Sequence, residues 1–425
     1  MSVKEAATPA KKAAGHLETC RSCGGKDLHL VLDLGLQPIA NALVEPSKIN
    51  EPEAVFPLEV VVCGDCSLAQ VSETIPPEVL FSADYPYFSS FIPALLAHSR
   101  EHALALLEER KLTSKDLVVE IASNDGYLLK NFVEAGVPVL GIDPAAGPVK
   151  AAIEAGVPTQ KAFFGAPVAR ELAAEGKRAS VMLANNVLAH VTDINNFVEG
   201  FAILLADDGI AEFEFPYARD MIETCAFDTI YHEHVFYYSL AALEPLFGRH
   251  GLYLNDVVRL PIHGGSLRLR VSKKPGKSAA LTQLQKEEAE LGIDGVGYYE
   301  TFGARVSKLR DDLRTLLAGI RAEGKTIAGY GAAAKGATLL NYAALPDGTI
   351  SFVVDRNTHK VGNYMPGLKL PIKNVDELVK AKPDYVLILT WNFADEIVVQ
   401  QKAYSDAGGI FLRAVPEPKV MAPAA

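Results

Sequence analysis

Residues 117–143 read LVVEIASNDGYLLKNFVEAGVPVLGID. Leu117 to Ile121 is a short apolar strand, Ala122-Ser123-Asn124-Asp125-Gly126 a tight polar turn, and Tyr127 to Ala135 a helix. A second strand ends on Asp143. An acidic residue at that tip, about twenty residues beyond the first turn, is where βαβ units hold a ribose diol. The turn lacks the GxGxxG that lets a pyrophosphate approach the backbone, so NAD and FAD fit poorly. Asn124 and Asp125 instead offer an amide and a carboxylate at the strand end, suited to an amino-acid moiety.

The same architecture recurs downstream. SVMLANNVLAHV (180–191) places Asn185, Asn186 and His190 beyond a strand, where open α/β sheets bind ligands. GIAEFEFP (209–216) is another strand, whose alternating Glu212 and Glu214 suggest an outward face or a strand tip. LPIHGGSLRLRV (260–271) is read as a hairpin, with Arg268 and Arg270 solvated and His263 and Gly264 backing a site. Beyond a charged helical connector, TIAGYGAAAKG (326–336) turns from a strand into a helix. There Gly331 and Lys335 face an anion with backbone N–H groups and charge. Asp355 closes a second βαβ unit, and PDYVLILTWN (383–392) continues the sheet to Trp391 and Asn392. Two doubly wound units with divergent turns imply two different ligands.

Between them lies TIYHEHVFYYSL (229–240), with Tyr231, His232, Glu233 and His234 in succession. A metal reading is weak, because only alternate residues of a strand share a face and no third ligand lies at helical spacing. A general base flanked by oxyanion donors fits the composition better than a buried aromatic strand. Convergence of Tyr231, Glu233 and His234 requires an irregular turn at 231–234, because a regular strand would point Glu233 away from both histidines.

Cys20-Arg-Ser-Cys23-Gly24 and Cys63-Gly64-Asp65-Cys66 are two knuckles that make one tetrahedral site. Four thiolates leave zinc no open position, so the metal is read as structural. The intervening LHLVLDLG and PLEVVVC form strands of a small module. FSADYPYFSSF (81–91) is a polar-aromatic loop whose Tyr85 and Tyr87 are candidates to orient substrate hydroxyls, and an amphipathic helix follows from Pro93 to about Lys111. A net charge of −11 argues against non-specific nucleic-acid binding, so an anionic ligand must be held by local donors. With neither a secretory h-region nor a run of about 18 apolar residues, a cytoplasmic chain without a membrane partner is expected.

Taken together the chain resembles the nucleotide-sugar C-methyltransferase family. The runs that carry the resemblance are VEIASNDGYLL, VLGIDP, ANNVLAHV, FDTIYHEHVFYYSL, LPIHGGSLR, IAGYGAAAKGATLLN, VVDRN and ILTWN, in that order from about Cys20 to Pro418. It implies an α/β fold of two doubly wound Rossmann-like domains behind a zinc-binding β module. The divisions expected are a disordered tail (1–15), the zinc module (16–76), a class I methyltransferase domain (77–272), a helical connector (273–322) and a C-terminal Rossmann-like domain (323–425). The turn from Glu120 to Gly126 resembles motif I of that class, and with Asp143 it is expected to bind S-adenosylmethionine. The family's catalytic histidine falls on His234, with Tyr231, Glu233, His190 and Tyr85 as companions. His232, Tyr87, His263, Gly264, Gly331, Lys335, Asp355, Trp391 and Asn392 are the candidates to hold a small-molecule acceptor, a nucleotide-linked sugar. A non-nucleotide acceptor and a non-enzymatic sensor are the competing readings; a sensor needs no base.

Overall fold

The computed structural model describes residues 15–76, 80, 89–91 and 93–421. Tyr85, Tyr87 and the N-terminal tail therefore fall outside the described residues, as does the side chain of His263.

The N-terminal module is an antiparallel sheet of β1 (Leu28–Pro38), β2 (Val55–Cys63) and β3 (Ala69–Val71). β2 carries β-branched residues on both faces and is buried over its last four positions, which place Cys63 in the interior. Leu32, Leu34, Leu58, Val60 and Val62 do not form a core of their own. They join a cluster with Phe302, Val306, Leu309 and Leu313 of the connector and Leu339 and Leu340 of the C-terminal unit.

Helix α1 (Pro93–Arg110) leads to the central sheet. Its first five strands are β4 (Val118–Ile121), β5 (Val139–Asp143), β6 (Thr159–Lys161), β7 (Ala179–Asn185) and β8 (Leu205–Pro216). After β9 (Phe236–Tyr237) come β10 (Tyr253–Leu260) and β11 (Ser266–Ser272). The spatial order is β10-β11-β8-β7-β4-β5-β6, with β4 to β8 parallel and β11 antiparallel to both neighbours. β4 is buried at all four positions, as a central parallel strand covered on both faces must be. The chain order reverses between β4 and β7, and the carboxyl ends of these strands open the ligand crevice. β9 is absent from this sheet. It pairs with β3, so Phe236 and Tyr237 complete the sheet of the metal module.

Glu212 and Glu214 do not face outward, and Arg268 and Arg270 are not simply solvated. Strand pairing sets Glu212 opposite Arg270 and Glu214 opposite Arg268. Helix α1 covers them with His102 and His98, one turn apart, on Glu212 and Glu214 respectively. Arg268 Nε donates to Glu214 at 2.7 Å and Arg270 Nε to Glu212 at 2.8 Å. Burial alone would raise the Glu214 carboxyl, but His98 and Arg268 outweigh it and hold it down at about 2. Relative to an ordinary glutamate, that depression contributes on the order of 3 kcal/mol of stability, complete above pH 4.5 and lost as pH falls through about 2. Glu214→Gln is therefore expected to be less stable by about that amount in denaturant melts at pH 7, with the gap from wild type closing as pH is lowered below 4.5.

Two further helices, α2 (Ala279–Leu291) and α3 (Phe302–Ala322), bridge to the second doubly wound unit. The Glu288 carboxylate of α2 accepts the Tyr217 hydroxyl at 2.7 Å and the backbone N–H groups of Leu240 and Ala241, both at 2.9 Å. It thereby caps the helix that follows the 229–240 stretch. The second sheet contains β12 (Ile327–Tyr330), β13 (Val353–Asp355), β14 (Ile372–Asn374), β15 (Tyr385–Ile388), β16 (Ile410–Arg413) and β17 (Lys419–Val420). Its order is β14-β13-β12-β15-β16-β17, all parallel but for the last. Here the reversal lies between β12 and β15, which brings Gly331 beside Thr390 and starts α4 (Ala334–Ala343) at the crevice.

Candidate functional site

At the first crevice the turn after β4 is held in an unusual backbone. Ala122 (φ 58°) and Asn124 (φ 49°) are left-handed without being glycine, and so is Asn186 (φ 55°) beyond β7. Such residues cost about 1–3 kcal/mol each and persist where the surroundings fix them, typically at ligand clamps. Asp143 does part of that fixing. Its Oδ2 accepts Asn124 N–H at 2.9 Å and its Oδ1 accepts Ala145 N–H at 2.8 Å. Ser123 is buried, its side chain against the space left by Gly141. From the other side Ser89 N–H donates to Asn124 Oδ1 at 2.9 Å and Ser90 N–H to Asp125 Oδ2 at 3.1 Å.

The electrostatics of this crevice are one-sided. Among the described residues, both carboxylate oxygens of Glu120, Oδ1 of Asp125 and Oδ1 of Asn185 are buried acceptors without a donor. Burial raises the Glu120 carboxyl well above the usual range, and the charges of Asp143, Asp125 and Glu214 raise it further. Burial likewise raises Asp143, with Asp125 adding and the N–H groups of Ala145 and Asn124 opposing. Orphan acceptors at a parallel-sheet switch point suit a ligand that brings donors and positive charge. The ammonium, ribose hydroxyls and sulfonium of S-adenosylmethionine are such groups, and the residues present fit it.

Residues 231–234 form a turn rather than a strand, closed by His234 N–H to Tyr231 O at 2.8 Å. His234 Nδ1 lies 2.9 Å from the Thr229 carbonyl, which can only accept. Nδ1 therefore carries a proton, and Nε2 faces the Tyr231 hydroxyl at 2.8 Å. His190 packs edge-on to His234 with ring centroids 4.8 Å apart. Burial depresses its pKa to about 4 against the opposing pull of the Glu233 backbone carbonyl, so the ring is neutral near pH 7. Glu233 is buried, and burial lifts its carboxyl to about 7 despite a hydrogen bond from Asn41 Nδ2 at 2.8 Å. His232 diverges from its neighbours. It is buried against the metal module, with Nε2 3.1 Å from Pro57 O and its ring against Phe56.

The second crevice opens against the same loop. Asp228, just before Thr229, accepts Trp391 Nε1–H at 2.8 Å, and Lys335 donates to Asn392 Oδ1 at 2.8 Å while lying 4.9 Å above the Trp391 ring. Burial raises the Asp228 carboxyl to about 6, with Lys335 and Trp391 opposing, and burial lowers Lys335 in turn. Gly264 (φ 92°) serves this cluster by absence, since a Cβ there would stand 2.8 Å from the Trp391 ring. Asp355 is engaged by two turns, taking the N–H groups of Ala332, after β12, and of Asn357, in its own. Sequence reading overlooked Asn41 and Asp228. Asp228 lies within the run FDTIYHEH, whereas Asn41 sits in an unremarkable module loop far from any motif.

The four cysteine sulfurs lie within 4.8 Å of one another, with Cys20–Cys66 and Cys23–Cys63 at 3.6 Å. A tetrahedral zinc with bonds of about 2.3 Å needs sulfurs roughly 3.8 Å apart. Ser22 N–H and Gly25 N–H point at Cys20 Sγ and Cys23 Sγ, as knuckle geometry requires, so the thiolates fit a closed structural zinc site. Among the described residues no helix is long and apolar enough to cross a membrane.

Three family models match: a zinc binding domain over residues 20–81, a methyltransferase domain over 88–257 and a C-methyltransferase C-terminal domain over 261–416. The C-methyltransferase NovU of Streptomyces niveus is 36% identical over 408 residues, 95% of this chain and 97% of that protein. Among solved structures, the magnesium protoporphyrin IX methyltransferase ChlM of Synechocystis PCC 6803 aligns with 42% of this chain and 79% of its own, at 15% identity and a TM-score of 0.33. An S-adenosylmethionine-dependent methyltransferase of Clostridium acetobutylicum ATCC 824 aligns with 42% and 90%, at 12% identity and a TM-score of 0.33.

Proposed function

This chain belongs to the S-adenosylmethionine-dependent C-methyltransferase family, and from that membership we propose that it methylates the carbon beside the ketone of a nucleotide-linked keto-deoxysugar. The observation that carries the reading is the His234 imidazole, its Nδ1–H held by the Thr229 carbonyl and its Nε2 set 2.8 Å from the Tyr231 hydroxyl. Methylating carbon requires a carbanion, and a C–H beside a ketone yields one only if its proton is taken as the enolate oxygen is stabilised. In this reading Nε2 takes the α-proton once the substrate displaces the Tyr231 hydroxyl. The neutral His190 ring already gives an N–H to the Glu233 backbone, which leaves the oxyanion to Tyr231 and to the Glu233 carboxyl, about half protonated near pH 7. Bound S-adenosylmethionine supplies an electrophilic methyl group. Glu120, Asp125, Asn185 and Asp143 hold and orient it, and the proton remains on His234 until product leaves.

The Lys335, Trp391, Asn392 and Asp228 cluster is the part of the second crevice suited to a nucleotide, because a chain of net charge −11 must supply local cations for phosphate. The metal module, methyltransferase and C-terminal units are proposed as the working divisions, and a reducing cytoplasm suits a cluster of free thiols.

Calorimetry with S-adenosylhomocysteine and a panel of nucleotide sugars tests this reading. Binding of the cofactor product with no response to any nucleotide sugar would redirect it to another acceptor. Asp143→Ala is expected to weaken S-adenosylhomocysteine by at least about 1.5–3 kcal/mol, the worth of a charge-assisted hydrogen bond. The floor is set higher here because Asp143 also holds the Asn124 and Ala145 N–H groups, and unchanged titration would place the cofactor elsewhere.

A further inference from the structure

The geometry points to Asn41 of the metal module as a positioning residue for the reaction, one that orients the buried Glu233 carboxyl and sets its ionisation from across the module boundary. The inference rests on the functional reading above and deepens it. Glu233 is 2% exposed, and Asn41 Nδ2–H donates to its Oε1 at 2.8 Å. The contact is held from both sides. Asn41 follows the β1 strand end, and its loop is tied by Ala42 N–H to Ile39 O and Leu43 N–H to Asn41 O. Glu233 lies on the turn closed by His234 N–H to Tyr231 O, and Val235 N–H anchors that turn to Ala189 O at 2.7 Å. Val71 N–H reaches back from the module to Val235 O at 2.8 Å, so the module and the turn move as one piece.

An amide donor aimed at one carboxylate oxygen favours the charged form, and burial opposes it. The titratable groups around Glu233 are His190, whose ring meets its backbone, and Tyr231, His232 and His234 of its own turn. His232 is turned into the module and His234 hydrogen-bonds Thr229 and Tyr231, while the Asn41 amide is the side chain that opposes the effect of burial on this carboxyl. Without the amide the carboxyl keeps its proton to higher pH and loses the bond that aims it.

The test reads Glu233 directly in the full-length, zinc-loaded protein. Infrared difference spectra between wild type and Glu233→Gln, taken across pH, isolate the titration of this one carboxyl. The same difference is then taken in an Asn41→Leu background. The expected result is an upward move of roughly one pH unit, a tenfold change in ionisation, with S-adenosylhomocysteine affinity unchanged and most of the move reversed by Asn41→Gln. With an acceptor sugar that turns over, the plateau kcat should fall several-fold at constant KM because the carboxyl loses its aim, while the alkaline limb of the kcat–pH profile moves up with the carboxyl. A titration that stays in place in Asn41→Leu, or in Asn41→Ser should the first variant not fold, overturns the inference. Because the spectra need no acceptor, failure of every nucleotide sugar to react would refute the functional reading while leaving the carboxyl measurement to stand.

Discussion

His234→Asn is expected to lower turnover by about two to four orders of magnitude, the usual contribution of a general base, with S-adenosylhomocysteine affinity unchanged. The asparagine amide can still donate to the Thr229 carbonyl that receives His234 Nδ1–H, so the turn keeps its shape. What disappears is the Nε2 lone pair beside the Tyr231 hydroxyl. Deuterium at the reacting carbon should wash out with wild type when enolisation outpaces methyl transfer, and washout should fall with turnover in the variant. His232→Asn is the control. Its imidazole is buried on Pro57 O, so substitution should cost about 1–3 kcal/mol of stability while the folded protein keeps its turnover. Full activity in folded His234→Asn would assign the base elsewhere.

The second large effect concerns the metal. About one zinc per chain is expected, and its removal by a strong chelator or by Cys20→Ser should collapse the module, because the apparent binding energy of structural zinc, about 10–16 kcal/mol, is folding energy. The loss should reach catalysis as well as stability. Gln70 donates to Cys20 Sγ at 3.2 Å, and the same residue pairs with Phe236 next to the 231–234 turn. Cofactor binding should survive better, since its crevice is built from β4, β5 and β7. Thermal melts, metal analysis and S-adenosylhomocysteine titration on the same stripped sample separate these effects. A stripped protein that keeps full activity would refute the coupling.

Both doubly wound units and the metal knuckles were legible in the sequence because each is local: strand, turn and acidic tip within one βαβ unit, or two cysteines at fixed spacing. The irregular turn at 231–234 was legible from chemistry, since a strand cannot bring Glu233 and His234 to one side. The Glu212, Glu214, Arg268 and Arg270 ladder was misread for a physical reason. Alternation tells which residues share a face and is silent on what covers it, and the cover, His98 and His102, comes from a helix before β4. Asn41 was invisible for the same reason. Its partner lies in another unit, and nothing in its own surroundings in the chain marks it. His232 looked like a partner of His234 by spacing, yet the turn sends the two rings to different units.

The pairing of β9 with β3 also governs the order in which the chain assembles. The module leaves the ribosome before the central sheet, with both knuckles and a ready metal site, yet β3 presents an unpaired edge until Phe236 and Tyr237 have been made. All five parallel strands of the central sheet are synthesised in that interval. Closure of so long a loop is slow, because its entropy is lost before the contact forms. The nascent module therefore carries an open edge, the three-residue strand Ala69–Val71, until Phe236 and Tyr237 are made, and such an edge can recruit a stray strand. Residues 229–240 also end this exposure, so the last step in making the N-terminal sheet is the one that seats the proposed base.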